Sequence, residues 1–188
     1  MQLEARAEHI HDELIRQCLQ GDNNSYQRLY KLYSRSMYNV GYRIVNNADE
    51  AEDVLQEAFI SAFKNLHHYR GDSTFGAWLK RIVVNKALNQ ISKRKFERIP
   101  ENEQWDIAEE TEKDELENFP FTVDKVKRAI ELLPDGYRMV LSLYVMEGYD
   151  HQEIAEILNI TESTSKSQFN RSKKKLKEIL TNSRFKIE

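Results

Sequence analysis

One cysteine, three prolines and six glycines in 188 residues exclude several kinds of protein at once. The lone Cys18 allows no internal disulfide and fits a reducing compartment, so the chain is expected in the cytoplasm. Scarce Pro and Gly argue against a turn-rich β fold and for long helices. No apolar run approaches the roughly 20 residues of a membrane span. The opening residues, MQLEARAEHIHDEL, hold no apolar signal core, and no direct membrane insertion is expected. His9, His11, His67 and His68 lack partners at ligand spacing, so no metal site is expected. No nucleophile with a neighbouring base and no phosphate-cradling glycine loop stands out. An enzyme is therefore not expected, and no cofactor is implied. No repeat with a period of 20–50 residues is visible.

What is present is charge, unevenly distributed. The net charge is −3, but residues 1–95 carry 14 Lys and Arg against 11 Asp and Glu. Residues 96–121 carry 2 against 10, and residues 122–188 carry 12 against 10. Two mildly basic blocks thus flank an acidic segment. That segment has no sustained apolar period and has Pro100 and Pro120 near its ends, so it reads as a linker. Both flanking blocks have helical periodicity. The reading is an all-α chain of two small helical domains, residues 10–95 and 122–182, joined by the acidic linker 96–121.

In the first block, Leu14, Ile15, Cys18 and Leu19 repeat at helical spacing and stop at Gly21. The aromatic-rich stretch Tyr26 to Val40 continues the pattern. The next helix is expected to open near Asn47, where acids suit a helix N-terminus, and to run to about His67, with Val54, Leu55, Ala58, Phe59, Ala62, Phe63 and Leu66 sharing one broad apolar face. Asp53, Gln56, Glu57, Ile60 and Lys64 line the opposite face. This is either a solvated face with one stray isoleucine or a docking surface for a protein. A break at RGDSTFG follows, then a helix from Ala77 to about Lys95. The stretch LKRIVVNKALNQISKRK holds no acid and follows Tyr69, Phe75 and Trp78. Cations beside aromatic rings are how proteins hold single-stranded nucleic acid. Core packing is the competing reading for Phe75 and Trp78.

In the second block, Val123, Val126, Ala129, Ile130 and Leu133 form a stripe that ends at LPDG. A short apolar helix follows, Tyr137 to Met146. Then DHQEIAEILNITESTSKSQFNRSKKKLKEIL reads as a helix-turn-helix. Ile154, Ala155, Ile157 and Leu158 face inward, with Ala155 small enough for a close crossing. Asn159 tolerates a left-handed turn, Ile160 plugs the corner and Thr161 caps the next helix. That helix can bury Phe169, Leu176 and Leu180. No acid lies between Ser163 and Lys177. Gln168 and Asn170 have the chemistry of base readers, and Lys173 to Lys175 that of phosphate partners.

Taken in order, NADEAEDVLQEAF, YRGDSTFGAWLKRIVVNKALN, an acidic linker and LPDGYRMVLSLYVMEGYDHQEIAEILNITESTSKSQFNRSKKKL closely resemble a bacterial sigma-70-family sigma factor of the extracytoplasmic-function group. The resemblance covers about Asp12 to Leu180. It implies a sigma region 2 helical bundle and a region 4 helix-turn-helix that direct promoter-specific initiation. Asp53, Gln56, Glu57 and Ile60 would bind the β′ clamp helices of core RNA polymerase. Tyr69, Lys80, Arg81, Asn85, Lys86, Asn89 and Lys93 would hold the minus-ten element as a single strand. Ser163, Thr164, Lys166, Ser167, Gln168, Asn170, Arg171 and Lys174 would meet the minus-thirty-five duplex. The polymerase β flap and an anti-sigma factor, which could hold the chain at the inner membrane, are further implied partners. Ser165, Gln168 and Ser172 stand where the family often has Val, Arg and Ala.

Overall fold

The computed structural model describes residues 2–97 and 121–181. The chain divides into two compact units after Glu97. The first contains α1 (Gln2–Leu19), α2 (Asn23–Val45), α3 (Ala48–Lys64) and α4 (Phe75–Glu97), with a 3-10 turn at Leu66–His68. The second contains α5 (Val123–Glu131), α6 (Asp135–Val145), α7 (His151–Leu158) and α8 (Glu162–Thr181). The expected linker, 96–121, lies outside the described residues except at its ends, where residues 96 and 97 continue α4.

Local chemistry sets the element ends in the first unit. Gly21 takes φ +88° and ends α1. The carboxylate of Asp22 accepts the N–H groups of Asn24 and Ser25 at 3.2 and 3.1 Å and caps α2. The Ser25 hydroxyl, followed by those N–H groups, holds this carboxyl below its ordinary range. The reversal from α2 to α3 takes two asparagines. Asn46 is left-handed at φ 52° and donates to the Tyr42 carbonyl, and Asn47 accepts from the Glu50 N–H at 3.0 Å.

α2, α3 and α4 pack against one another, and α1 lies on α2. Ala51, Ala58 and Ala62 of α3 are fully buried, as are Leu29 and Ile44 of α2 and Leu79, Val83 and Val84 of α4. The small alanine side chains let the helices approach closely. At Gly41 α2 comes close to α3, and a Cβ there would stand 3.4 Å from Val54 Cγ1. The expected apolar face of α3 is inside, but the helix stops at Lys64, sooner than the sequence predicts. The chain tightens into the 3-10 turn, which carries Leu66 into the core. Leu14, Ile15 and Cys18 are buried as expected, whereas Leu19, in the last turn of α1, is 54% exposed. Burial, with a smaller contribution from Asp22, pushes the Cys18 thiol up to about 11, which leaves it unreactive.

In the second unit Ile130, Leu133 and Leu141 form a core completed by Val126, Tyr137, Phe169, Leu176 and Ile179. Val123 was expected in this stripe but is 69% exposed, because the core reaches no further along α5 than Val126. Arg138 is buried at the α5–α6 junction, donating to the Leu133 carbonyl at 3.0 Å and to Asp135 at 2.6 Å. Asp150 and Glu153 form a reciprocal capping box at the start of α7. Asn159 ends that helix at φ 53°. Thr161 then accepts the Thr164 N–H at 3.0 Å, the expected cap of α8.

Candidate nucleic-acid and protein interfaces

On α3 the side chains of Asp53, Gln56, Glu57 and Ile60 are all exposed, Ile60 by 54%. They stand at i, i+3, i+4 and i+7, so a single helix face presents two carboxylates, an amide and a bare aliphatic group. Leaving an isoleucine in water forgoes roughly 2 kcal/mol of burial, which a partner could recover.

On α4 the exposed residues Arg81, Asn85, Asn89 and Lys93 recur every four positions and make one cationic and amide-bearing stripe. Lys80 and Lys86 are half-buried on its flanks. The two predicted sets adjoin each other. Lys86 Nζ lies 3.3 Å from Glu57 Oε2, and Asp53, Val54, Glu57, Lys86, Asn89 and Lys93 line one open groove between α3 and α4. Arg94, part of the basic run, turns away from this groove. Its guanidinium chelates Glu50 and donates to the Val45 carbonyl at 2.8 Å.

Tyr69 is less free than the sequence suggests. Its ring meets Phe75 edge-on at 5.8 Å and leans on Trp78 at 5.4 Å, while its hydroxyl donates to the Ser73 carbonyl at 2.7 Å. Burial, with a smaller effect from Asp12, raises its pKa above the ordinary tyrosine value. Phe75 is fully in the core and Trp78 half-buried. Tyr33 completes this aromatic wall at 5.2 Å from Phe75, with its hydroxyl 2.7 Å from His11 Nδ1. Sequence reading passed over Tyr33 and His11 as site neighbours, and only the aromatic periodicity of α2 hinted at the former. Among the described residues no cluster of His, Cys, Asp or Glu could hold a metal.

On α8 the outward face carries Ser163, Lys166, Asn170 and Lys174, flanked by the half-buried Ser167 and Arg171. Thr164 spends its hydroxyl on the cap, 2.8 Å from that of Thr161. Lys166 pairs with Glu162 at 2.6 Å. Of the lysine triplet, Lys173 covers the Phe169 ring, Lys175 pairs with Glu178 and Lys174 stands exposed.

Gln168 requires a correction. Expected at base edges, it is only 6% exposed and shares the inner stripe with Ser165 and Ser172, both fully buried. α8 packs against α5, α6 and α7 together, so its inner surface is wider than one apolar stripe. The small serines allow that close packing. Ser165 Oγ lies 2.9 Å from His151 Nδ1, and Ser172 donates to the Phe169 carbonyl at 2.7 Å. These bonds satisfy hydroxyls where a branched or methyl side chain would otherwise pack.

Comparison with known proteins finds relatives over most of the chain. Residues 29–97 match the family described as Sigma-70 region 2, and residues 124–176 match Sigma-70, region 4. The chain is 30% identical over 181 residues to the RNA polymerase sigma-H factor of Pseudomonas aeruginosa, covering 89% of this chain and 92% of that one. It is 30% identical over 176 residues to the ECF RNA polymerase sigma factor SigW of Bacillus subtilis, covering 88% and 94%. With the ECF RNA polymerase sigma-E factor of Escherichia coli K12 it shares 32% over 171 residues, 85% and 88% of the two chains. The fold resembles that of the sigma factor RpoE solved in complex with the anti-sigma factor NepR from Bartonella quintana. The TM-score is 0.56 at 21% identity, over 84% of this chain and 98% of that one. It also resembles CnrH, solved with the cytosolic domain of CnrY, with a TM-score of 0.54 at 19% identity over 94% and 99%. The chain belongs to the sigma-70 family of RNA polymerase sigma factors, in the extracytoplasmic-function group, and its function is to direct promoter-specific transcription initiation.

Proposed function

We propose a division of labour in which each charged surface has its own partner. Residues 10–95 act as region 2. The α3 face of Asp53, Gln56, Glu57 and Ile60 docks on the β′ clamp helices of core RNA polymerase. The α4 stripe, with Arg81, Asn85, Asn89 and Lys93 at its centre, Lys80 and Lys86 at its edges and Tyr69 at its head, holds the melted non-template strand of the minus-ten element. Residues 122–182 act as region 4. There Ser163, Lys166, Ser167, Asn170, Arg171 and Lys174 meet the minus-thirty-five duplex, and the unit contacts the β flap. Residues 96–121 join the two, their acidity suited to a positively charged channel. An anti-sigma factor would restrain the chain, as the complex of RpoE with NepR suggests by analogy.

The observation that carries this reading is the contiguity of an acidic, isoleucine-bearing face on α3 with an acid-free cationic face on α4, meeting at Glu57 and Lys86. One face suits a protein and the other a polyanion. The test pairs two variants in transcription with core polymerase. Glu57→Lys should weaken assembly with core about tenfold, the worth of ~1.4 kcal/mol, while Asn85→Ala leaves assembly unchanged and lowers promoter opening. If both variants lose the same step, the assignment of faces is wrong.

A further inference from the structure

Three helices of this chain carry long acid-free cationic stretches, and the reading above uses two of them, α4 and α8. The third is α2. From Asn23 to Val45 it has no Asp or Glu, in a chain where those residues outnumber Lys and Arg 31 to 28. Arg28, Lys31 and Arg35 are all exposed and stand at i, i+3 and i+7, on the side opposite the buried Leu29, Val40 and Ile44. Asn24 and Asn39 share this outer face. Tyr38 and Tyr42, half-buried with rings stacked at 6.1 Å and 17°, border it.

Like charges at these spacings repel. Among the described residues no ion pair engages the three cations. The N-cap Asp22 lies near enough to Arg28 for that cation to help hold its carboxyl down, but it is at the helix end. A solvated face needs charge, not charge of a single sign. Because α2, α3 and α4 pack mutually, the outer face of α2 looks away from the α4 stripe. A strand lying on α4 therefore leaves it uncovered.

We infer that the outer face of α2, built on Arg28, Lys31 and Arg35, is a further contact for the phosphate backbone of promoter DNA, separate from the melted-strand and duplex-reading faces. The seven steps from Arg28 to Arg35 rise about 10 Å along the helix, the axial length of about three phosphates of one strand. Cations on flexible stems, with amides and ring edges beyond the two ends of the row, suit a backbone contact that carries no sequence preference. The inference rests on the reading that the chain holds promoter DNA when joined to polymerase.

The experiment uses the full chain with core polymerase and measures promoter-fragment affinity at several KCl concentrations. The triple variant Arg28→Gln, Lys31→Gln, Arg35→Gln is compared with wild type, and Arg81→Gln with Asn85→Ala forms a parallel arm. Three neutralised phosphates contribute about −2.7 to the log–log salt slope, or about fortyfold in affinity over a fourfold change in salt. The triple variant should lose up to that slope, keep its helicity by circular dichroism and assemble normally with core. Replacing Arg28 and Arg35 by Lys instead should restore the wild-type slope. An unchanged slope overturns the inference and leaves a solvated face. A loss of core assembly with the slope intact overturns it in favour of an acidic protein surface. If the α4 arm also leaves promoter binding untouched, the underlying assignment of faces fails instead.

Discussion

Gln168 illustrates what a single side chain can decide. Its amide oxygen is buried without a hydrogen-bond partner, and such a group costs about 1–3 kcal/mol in desolvation. Gln168→Met should therefore stabilise the second unit by about 1 kcal/mol, read as a higher urea midpoint, and leave affinity for the minus-thirty-five duplex unchanged. A selective fall in that affinity would mean that Gln168 reaches the bases. His151 offers a second test. Its ring stacks on Tyr144 at 4.5 Å and meets Phe169 at 5.6 Å, and burial, aided by the Lys166 cation, lowers its pKa below the ordinary 6.5. Glu162 and Asp150 oppose this only in part. The folded state then binds the proton less well than the unfolded state. The contribution is complete above pH 6.5 and shrinks as pH falls from there through the depressed folded value. The stability difference between wild type and His151→Gln, followed by amide exchange in α7 and α8, should narrow in the wild type's disfavour below pH 6.5. A constant difference would show that the ring titrates alike in both states.

Among the elements, the ends were more legible than the contacts. Gly21, Asn47, Thr161 and Asn159 act through their own backbone and nearest neighbours, so their roles could be read from local sequence. Leu19 and Val123 could not be assigned in the same way. A helical period puts a residue on a face, but whether that face still has a neighbour at the helix end is a tertiary matter. Arg94 makes the same point for charge. In sequence it belongs to a basic run, while in the fold it ties the end of α2 and the start of α3 to α4 through Val45 and Glu50. Its side chain is 24% exposed and that of Glu50 is 21% exposed, so the pair is only lightly screened. Arg94→Ala should lower the stability of the first unit by about 2 kcal/mol, the scale of charged hydrogen bonds, in a denaturation curve. The salt slope of promoter binding should stay as in wild type, whereas Lys93→Ala should make it shallower by about 0.7–0.9.

At the scale of the molecule, a net charge of −3 coexists with cationic faces on separate helices. Local fields govern contact, but the whole charge opposes unaided binding to a polyanion. Two weak modules joined on one polymerase gain effective concentration, which can multiply affinity by about 10²–10⁴. The chain alone should therefore bind a promoter duplex at least about a hundredfold more weakly than its complex with core polymerase at physiological salt, by fluorescence anisotropy. Equal affinities would mark a self-sufficient helix-turn-helix regulator.

By itself the sequence determined the helical class, the helix ends at Gly21, Asn159 and Thr161, the acid-free runs and the exposure of Ile60 on α3, because each follows from local chemistry or from spacing along one helix. Only the tertiary structure decided that Glu57 meets Lys86, that Arg94 and Arg138 are spent on the scaffold, and that Gln168 points inward with Ser165 and Ser172. The reason is geometric. Periodicity orders residues around one axis, but a helix touched by three others, as α8 is, buries more than its apolar stripe, and which polar groups go inside depends on where those neighbours lie.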